Sequence, residues 1–164
     1  MGYRIPFLVL GTALFAGFPQ ASVADSSNAC AVTEAPNPSF IPPSGRTPYT
    51  ASDGRFYFGA PGLWALVTPH WKLGSTGNKL PYFSENYNPQ RGDWEHLEMA
   101  VFARRLDAPA PLVWVPRVSG TTSSPGAMIT GLDIPTTGCW EVTARYHPAG
   151  RDPEILSYTV LVEP

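Results

Sequence analysis

The sequence predicts an all-β sandwich of about seven strands, and three observations lead to it. First, the chain contains 19 prolines and 15 glycines, which argues against long helices because each interior proline costs a helix about 3 kcal/mol. Second, short apolar and aromatic runs recur with turn signals between them, a spacing typical of sandwiches. Third, residues 138–164 hold two runs of alternating pattern around a turn with Pro148, Gly150 and Pro153. That last stretch predicts a closing hairpin.

The earlier strands follow from the same signals. The aromatic run 56–59 comes first, and a Pro-Gly turn separates it from the compact apolar run 63–68. Residues 80–87 predict a ragged strand, and residues 112–118 and 127–134 predict two more strands around a polar turn at 119–126. No segment has the length and pattern of a crossover helix, which argues against a parallel βαβ fold.

Residues 94–106 form the longest continuous candidate element. Leu97, Met99, Val101 and Ala103 alternate with more polar neighbours, and period-two alternation predicts a strand. A helix is the alternative, since most residues at the start of this segment tolerate helical backbone.

The first 24 residues resemble a secretory signal peptide. Arg4 precedes an apolar stretch at 5–18, and small residues lie before Asp25 in the pattern of a cleavage site. A membrane anchor is the alternative, but about 20 apolar residues are needed to span a bilayer. A lipoprotein attached through Cys30 fits less well, because no aliphatic residue stands in the usual position before the cysteine. We therefore expect a secreted or periplasmic protein with a signal peptide at 1–24, a proline-rich extended arm at 25–54 and a sandwich at 55–164.

Composition narrows the classes of partner. The net charge is −2, only 15% of residues are charged and 43% are hydrophobic. No basic patch stands out, which argues against nucleic acid as a partner. No motif of a serine elbow, a phosphate loop or a redox Cys-x-x-Cys is present, and no cofactor is expected.

Two cysteines in a chain bound for an oxidising compartment predict one disulfide, Cys30–Cys139. In the closing strand, Trp140, Val142, Ala144 and Tyr146 share one face. Cys139 is on the opposite face, where a passing arm can reach it. Two unpaired buried cysteines are the alternative.

The end of the chain resembles the closing strands of bacterial immunoglobulin-like domains. There a glycine turn precedes an aromatic residue that starts the penultimate strand, as Gly138 and Trp140 do here. More narrowly, the chain is similar to small secreted bacterial proteins of unknown function. They share a Gly-Cys-Trp-Glu-Val-Thr motif, a Cys-x-Val-Thr segment at the mature start and a Leu-Trp strand, here at 138–143, 30–33 and 63–64. The resemblance implies an immunoglobulin-like β-sandwich and a secreted location, and it implies no chemistry.

An enzymatic interpretation depends on the histidines. His96 and Glu98 would share one face of the strand predicted at 94–106, and His70 or Asp93 could supply a third metal ligand. A metal-dependent hydrolase using His96 and Glu98 is therefore one alternative. The other interpretation is that these residues are solvent-facing side chains of an outer strand, and it leads us to expect no enzyme and no metal.

A binding interpretation depends on the aromatic residues. The connection from His70 to Trp94 is long and irregular, and such connections often carry recognition. It holds Trp71, Tyr82, Phe83, Tyr87 and Trp94, which could bind a protein or glycan if exposed. We expect Trp71 and Tyr87 to be more exposed than Trp94, because their neighbours are rich in glycine and asparagine. If the rings fold inward, a passive structural protein of the cell envelope is the alternative.

Overall fold

The computed structural model describes residues 30–43, 50–74, 79–115, 118–122 and 126–164. The predicted signal peptide at 1–24 lies outside the described residues. Ten strands and one short 3-10 turn, Pro89–Arg91, make up the regular structure of the described part. The strands are β1 (Phe56–Gly59), β2 (Trp64–Val67), β3 (His70–Lys72), β4 (Lys79–Phe83), β5 (Met99–Arg105), β6 (Val113–Val115), β7 (Ser119–Gly120), β8 (Met128–Gly131), β9 (Gly138–Tyr146) and β10 (Glu154–Glu163).

The strands form two five-stranded sheets. Sheet A has the order β1-β2-β4-β8-β7, and sheet B has the order β3-β10-β9-β5-β6. Every pair is antiparallel except β3 with β10, which is parallel. The all-β prediction is confirmed, with more strands than the seven expected. In the described part of the chain, no helix is both apolar enough and long enough to span a bilayer.

The closing hairpin contributes the two longest strands of sheet B, β9 and β10. Strands β9 and β10 pair over nine positions, from Tyr146 opposite Glu154 to Gly138 opposite Val162. Trp140, Val142, Ala144 and Tyr146 are all buried, as the alternation predicts. Their side chains pack against sheet A, where Tyr82 of β4 meets Tyr158 of β10 with the hydroxyl oxygens 3.0 Å apart.

Several element boundaries differ from those predicted. Residues 94–98 form turns and extended chain, so only Met99–Arg105 of the predicted 94–106 strand is regular. The ragged strand predicted at 80–87 ends at Phe83, because the next residues turn away and Ser84 donates a hydrogen bond to Glu154 at the start of β10. The sequence predicts an irregular connection at 70–72, but His70–Lys72 is a strand because its backbone pairs with the edge of β10. It also predicts a turn at 119–126, but Ser119–Gly120 pairs with β8.

The N-terminal arm is fastened to sheet B at its start. The predicted disulfide is confirmed, with the Cα atoms of Cys30 and Cys139 5.4 Å apart. Thr33 continues along the free edge of β10: its N–H donates to Thr159 O at 2.9 Å, and its hydroxyl accepts from Thr159 N at 2.8 Å. The arm then crosses to the outer face of sheet A, where the Phe40 ring lies 6.2 Å from that of Trp64.

Candidate binding site at the loop end

Four of the five aromatic residues proposed for binding are buried. Trp71, Tyr82, Phe83 and Tyr87 expose 3% of their surface or less, whereas Trp94 exposes 42%. The expectation that Trp71 and Tyr87 are more exposed than Trp94 is therefore wrong. A buried ring has no face to offer a ligand, so Trp94 alone of the five proposed residues is open to solvent.

The causes of burial are local. Trp71 is the inward residue of the short strand β3, and its indole N–H donates to Thr68 O at 2.6 Å. Tyr87 is covered by the connection between β7 and β8, and its hydroxyl donates to Thr121 O at 2.9 Å. Gly126 permits this packing, because a Cβ there would come within 2.6 Å of Tyr87 Cε1. Glycine-rich neighbours thus allow close packing rather than exposure.

The metal hypothesis rested on a strand face that does not exist. His96 and Glu98 precede β5, which begins at Met99. Glu98 instead faces His147, with Oε2 3.2 Å from Nδ1. His70 is near a different carboxylate, with its Nδ1 3.6 Å from Glu163 Oε2. Among the described residues, no group of three His, Cys, Asp or Glu side chains could hold a metal ion.

A polar cleft opens between the β4–β5 and β9–β10 connections at one end of the sandwich, where the β7–β8 connection also lies. We call this end the loop end; it comprises residues 84–98 between β4 and β5, 121–122 and 126–127 between β7 and β8, and 147–153 between β9 and β10. The cleft has a volume of about 410 Å³. Its lining includes Glu85, Asn86, Arg91, Asp93, Tyr146 and Arg151.

Hydrogen bonds between the connections hold the cleft in shape. Glu154, at the start of β10, accepts from Ser84 Oγ at 2.9 Å and from the Asn86 side-chain amide. His147 meets Glu98 twice, since its backbone N–H also donates to Glu98 O at 2.9 Å. The β4–β5 and β9–β10 connections are therefore tied together on both sides of the cleft.

The sequence Asn88-Pro89-Gln90-Arg91-Gly92 builds one wall. The Asn88 side chain accepts from Gln90 N at 3.0 Å and so caps the 3-10 turn. Pro89 suits the first position of that turn because its φ is already fixed. Gly92 ends it at φ 80°, a left-handed conformation that favours glycine. The turn brings Arg91 to Asp93, with Nη2 and Oδ2 3.1 Å apart.

Tyr146 forms the floor of the cleft. Its side chain is 3% exposed and lines the cleft, and its ring contacts that of Tyr87 edge to face at 6.5 Å. Its hydroxyl has no hydrogen-bond partner among the described residues and is not one of their buried unpartnered atoms, so it is open to water in the cleft. Burial raises the pKa of this phenol, and the carboxylates of Asp93 and Glu154 raise it further. The same two causes, burial and Asp93, raise the pKa of Tyr87 to about 12.

Sequence reasoning placed Tyr146 only on the core face of its strand. The available signal was its position as the last residue of β9, directly before His147 and Pro148. A tyrosine there can bury its ring while its hydroxyl reaches the end of the sheet. In comparisons with protein families, with curated proteins and with solved structures, nothing matches this chain. The resemblance to secreted bacterial proteins therefore stays a prediction.

Proposed function

We propose that this chain is a secreted, non-catalytic, immunoglobulin-like binding module that recognises its partner with the loop end. The strand order supports the fold assignment. The order β2-β4-β8-β7 in sheet A matches strands A-B-E-D of an immunoglobulin domain, and β10-β9-β5 in sheet B matches G-F-C. Strands β1, β3 and β6 extend the two sheets.

This assignment relates the loop end to the recognition loops of immunoglobulin domains. The β4–β5 and β9–β10 connections correspond to the B–C and F–G loops, which carry recognition in variable immunoglobulin domains. Here they bound one cleft and are tied together through Glu154 and His147. A site whose walls are already fixed loses little conformational entropy on binding.

The observation that carries the proposal is the Tyr146 hydroxyl. It has no hydrogen-bond partner among the described residues and is not one of their buried unpartnered atoms, so it opens into the cleft, where a ligand can reach it. A partner that forms a hydrogen bond with this hydroxyl would replace the water there. Phenylalanine would fill the same space without offering that hydrogen bond.

The burial of Trp71, Tyr82 and Tyr87 favours a second candidate, a passive structural protein of the cell envelope. In that case the Tyr146 hydroxyl has no role, and its removal changes nothing outside the molecule. The two functions therefore differ in what Tyr146→Phe does.

We expect Tyr146→Phe to abolish partner binding while the free energy of unfolding changes by less than about 0.5 kcal/mol or rises. Binding is measured with the oxidised protein on arrays of peptides and of bacterial envelope glycans, and stability by urea unfolding. Tyr158→Phe is the matched control. It removes a hydroxyl that has a partner, so it should lower stability by about 1–2 kcal/mol and keep binding. Array binding that Tyr146→Phe retains, or no binding on either array, would contradict the proposal.

A further inference from the structure

Strand β6 forms an uncharged, apolar edge of sheet B. The sheet has the order β3-β10-β9-β5-β6, so β6 has a described neighbour on one side only. Its central residue, Trp114, is 63% exposed, and Leu112, directly before the strand, is 60% exposed. Residues 110–115 carry no charged side chain. Charged residues commonly keep an exposed edge strand from pairing with another chain, and this edge lacks them.

The hydrogen bonds of β5 show which backbone groups of β6 face outward. Leu106 N–H donates to Cys139 O at 2.8 Å, in the register that pairs β5 with β9. Because these groups alternate along a strand, even-numbered residues of β5 turn their N–H and C=O groups toward β9, and odd-numbered residues turn them toward β6. Trp114 lies opposite the even-numbered Phe102. Its N–H and C=O groups therefore point away from the sheet.

Leu112 continues this pattern toward the start of the edge. The β5–β6 register, extended by one residue, places it opposite Arg104, and its backbone has no described hydrogen-bond partner. The N–H that Pro111 lacks would face β5, so the proline removes no donor from the open edge. Leu112 and Trp114 thus offer two N–H donors and two C=O acceptors, together with the exposed apolar side chains. Strand addition uses this combination of backbone hydrogen bonds and alternate side chains.

The edge is complementary to itself. We infer that β6 pairs antiparallel with the β6 of a second copy of this chain, about a two-fold axis at Val113. Leu112 of each copy then lies opposite Trp114 of the other, and each of the two pairs exchanges two hydrogen bonds. All the free groups of both edges are used, each exposed leucine packs on an exposed tryptophan, and no like charges meet.

The sequence disfavours the neighbouring register, which is centred on Trp114. That register would place Leu112 opposite Pro116 of the second copy, and a proline has no N–H to donate. Two hydrogen bonds between the tryptophans would form, but the C=O group of Leu112 would lose its partner. The register centred on Val113 is therefore the one in which every free donor meets an acceptor.

This dimer goes beyond the proposed binding function. A two-fold axis between antiparallel strands reverses the direction of every strand, so the loop ends of the two copies would point in opposite directions. A dimer would then hold two partner molecules on opposite sides. The contact involves few residues, so we expect a weak dimer with a dissociation constant on the order of 100 µM.

The first test is sedimentation velocity of the oxidised protein from about 10 µM to about 1 mM. We expect a monomer at the low concentration and a dimer at the high one. Leu112→Lys should weaken the dimer at least about tenfold, because it brings a charge to the edge. Ile155→Lys is the matched control: Ile155 is 64% exposed on the same sheet, but on β10, three strands from β6. It should leave the dissociation constant within about twofold.

A second test reads the register. Across the proposed axis the two Val113 Cα atoms would be about 4.5 Å apart, a distance that a disulfide can span. Val113→Cys should therefore form a covalent dimer under mild oxidation. Val115→Cys is its control, because the two copies of Val115 would be about 13 Å apart along the strands. Both valines are partly buried against the core, so the two variants should lose similar stability.

The inference is overturned by a protein that stays monomeric at about 1 mM, by a dimer that Leu112→Lys leaves intact, or by a dimer that Ile155→Lys disrupts. A covalent dimer of Val115→Cys and not of Val113→Cys would overturn the register. If the protein stays monomeric and an array binder shifts the NMR signals of residues 112–114, a strand of that binder takes the edge instead of a second copy. The loop-end function is tested separately, by Tyr146→Phe.

Discussion

The outer face of each sheet carries a tryptophan, which is buried on sheet A and exposed on sheet B. On sheet A, Trp64 is fully buried and stacks on Phe83 at 6.0 Å. On sheet B, Trp114 is 63% exposed, opposite Phe102 on the neighbouring strand. Each tryptophan points away from the core between inward-facing aliphatic residues. The difference is that the N-terminal arm covers one face and leaves the other open.

The covered face is a second, smaller hydrophobic cluster outside the main core. Its buried members are Trp64, Phe83 and Ala127, and Phe40 of the arm packs against them. The cover is incomplete in one respect, because Trp64 Nε1 is buried and has no hydrogen-bond partner in the described part of the chain. Trp71 and Trp140, by contrast, donate their indole N–H groups to Thr68 O and Thr136 O. The described residues of the arm thus supply apolar contact to Trp64 without supplying a hydrogen-bond acceptor.

Removing the disulfide that fastens the arm should lower the free energy of unfolding more than replacing either tryptophan or Phe40. Cys30 and Cys139 are 109 residues apart in sequence, and a bridge across such a loop stabilises a protein by about 4 kcal/mol in the chain-entropy description. We expect the Cys30→Ser/Cys139→Ser variant to lose roughly that much free energy of unfolding, measured by urea denaturation. Wild type under reducing conditions is the control and should match the variant. A loss below about 1 kcal/mol would mean that the arm holds its position without the bridge.

The two outward-pointing tryptophans, Trp64 and Trp114, should lose very different amounts of folding stability when each is replaced by alanine. Trp64→Ala removes a fully buried indole, so we expect it to cost about 3 kcal/mol or more. Trp114→Ala removes a ring that is mostly in water already and should cost less than about 1 kcal/mol. Equal losses in thermal or urea unfolding would show that the face of sheet B is also covered in solution.

A smaller change tests the arm alone. Phe40 is partly buried, so Phe40→Ala should lower the free energy of unfolding by about 1 kcal/mol. It should also speed hydrogen exchange of the Trp64 indole N–H, which is shielded by burial and not by an acceptor. The indole signals of Trp71 and Trp140 serve as internal controls in the same NMR experiment. Exchange at Trp64 that stays unchanged would show that Phe40 is not its cover.

Alternation predicted which residues face inward on the long strands but could not predict what lies over the outward ones. In both strands the tryptophan alternates with small aliphatic residues that face the core: Val113 and Val115 lie on either side of Trp114, and Ala65 and Val67 follow Trp64. The pattern specifies a face of one strand, and coverage depends on where a distant segment crosses. Phe40 reaches Trp64 across 24 residues of sequence, and no local signal contains that contact.

In the candidate site, too, local features could be predicted from the sequence and contacts between distant segments could not. The turn at 88–92 was foreseeable, because a capping asparagine, a proline and a glycine specify it locally. The cleft was not, since its lining brings Arg91 and Asp93 of the β4–β5 connection to Tyr146 and Arg151 of the closing hairpin, two distant parts of the chain. Reading glycine and asparagine as signs of exposure failed at Tyr87, because Gly126 there permits close packing.

The sequence by itself determined the all-β class, the closing hairpin with its inward face and the pairing of Cys30 with Cys139. These rest on local alternation, on proline content and on a cysteine count of two, and all of these can be read along the chain. The tertiary structure decided which aromatic rings are buried, that His96 and Glu98 lie outside a strand, and that the Tyr146 hydroxyl opens into a cleft with no hydrogen-bond partner among the described residues. The physical reason is that burial and hydrogen-bond satisfaction are set by neighbours from distant segments, and those neighbours are fixed only when the two sheets pack.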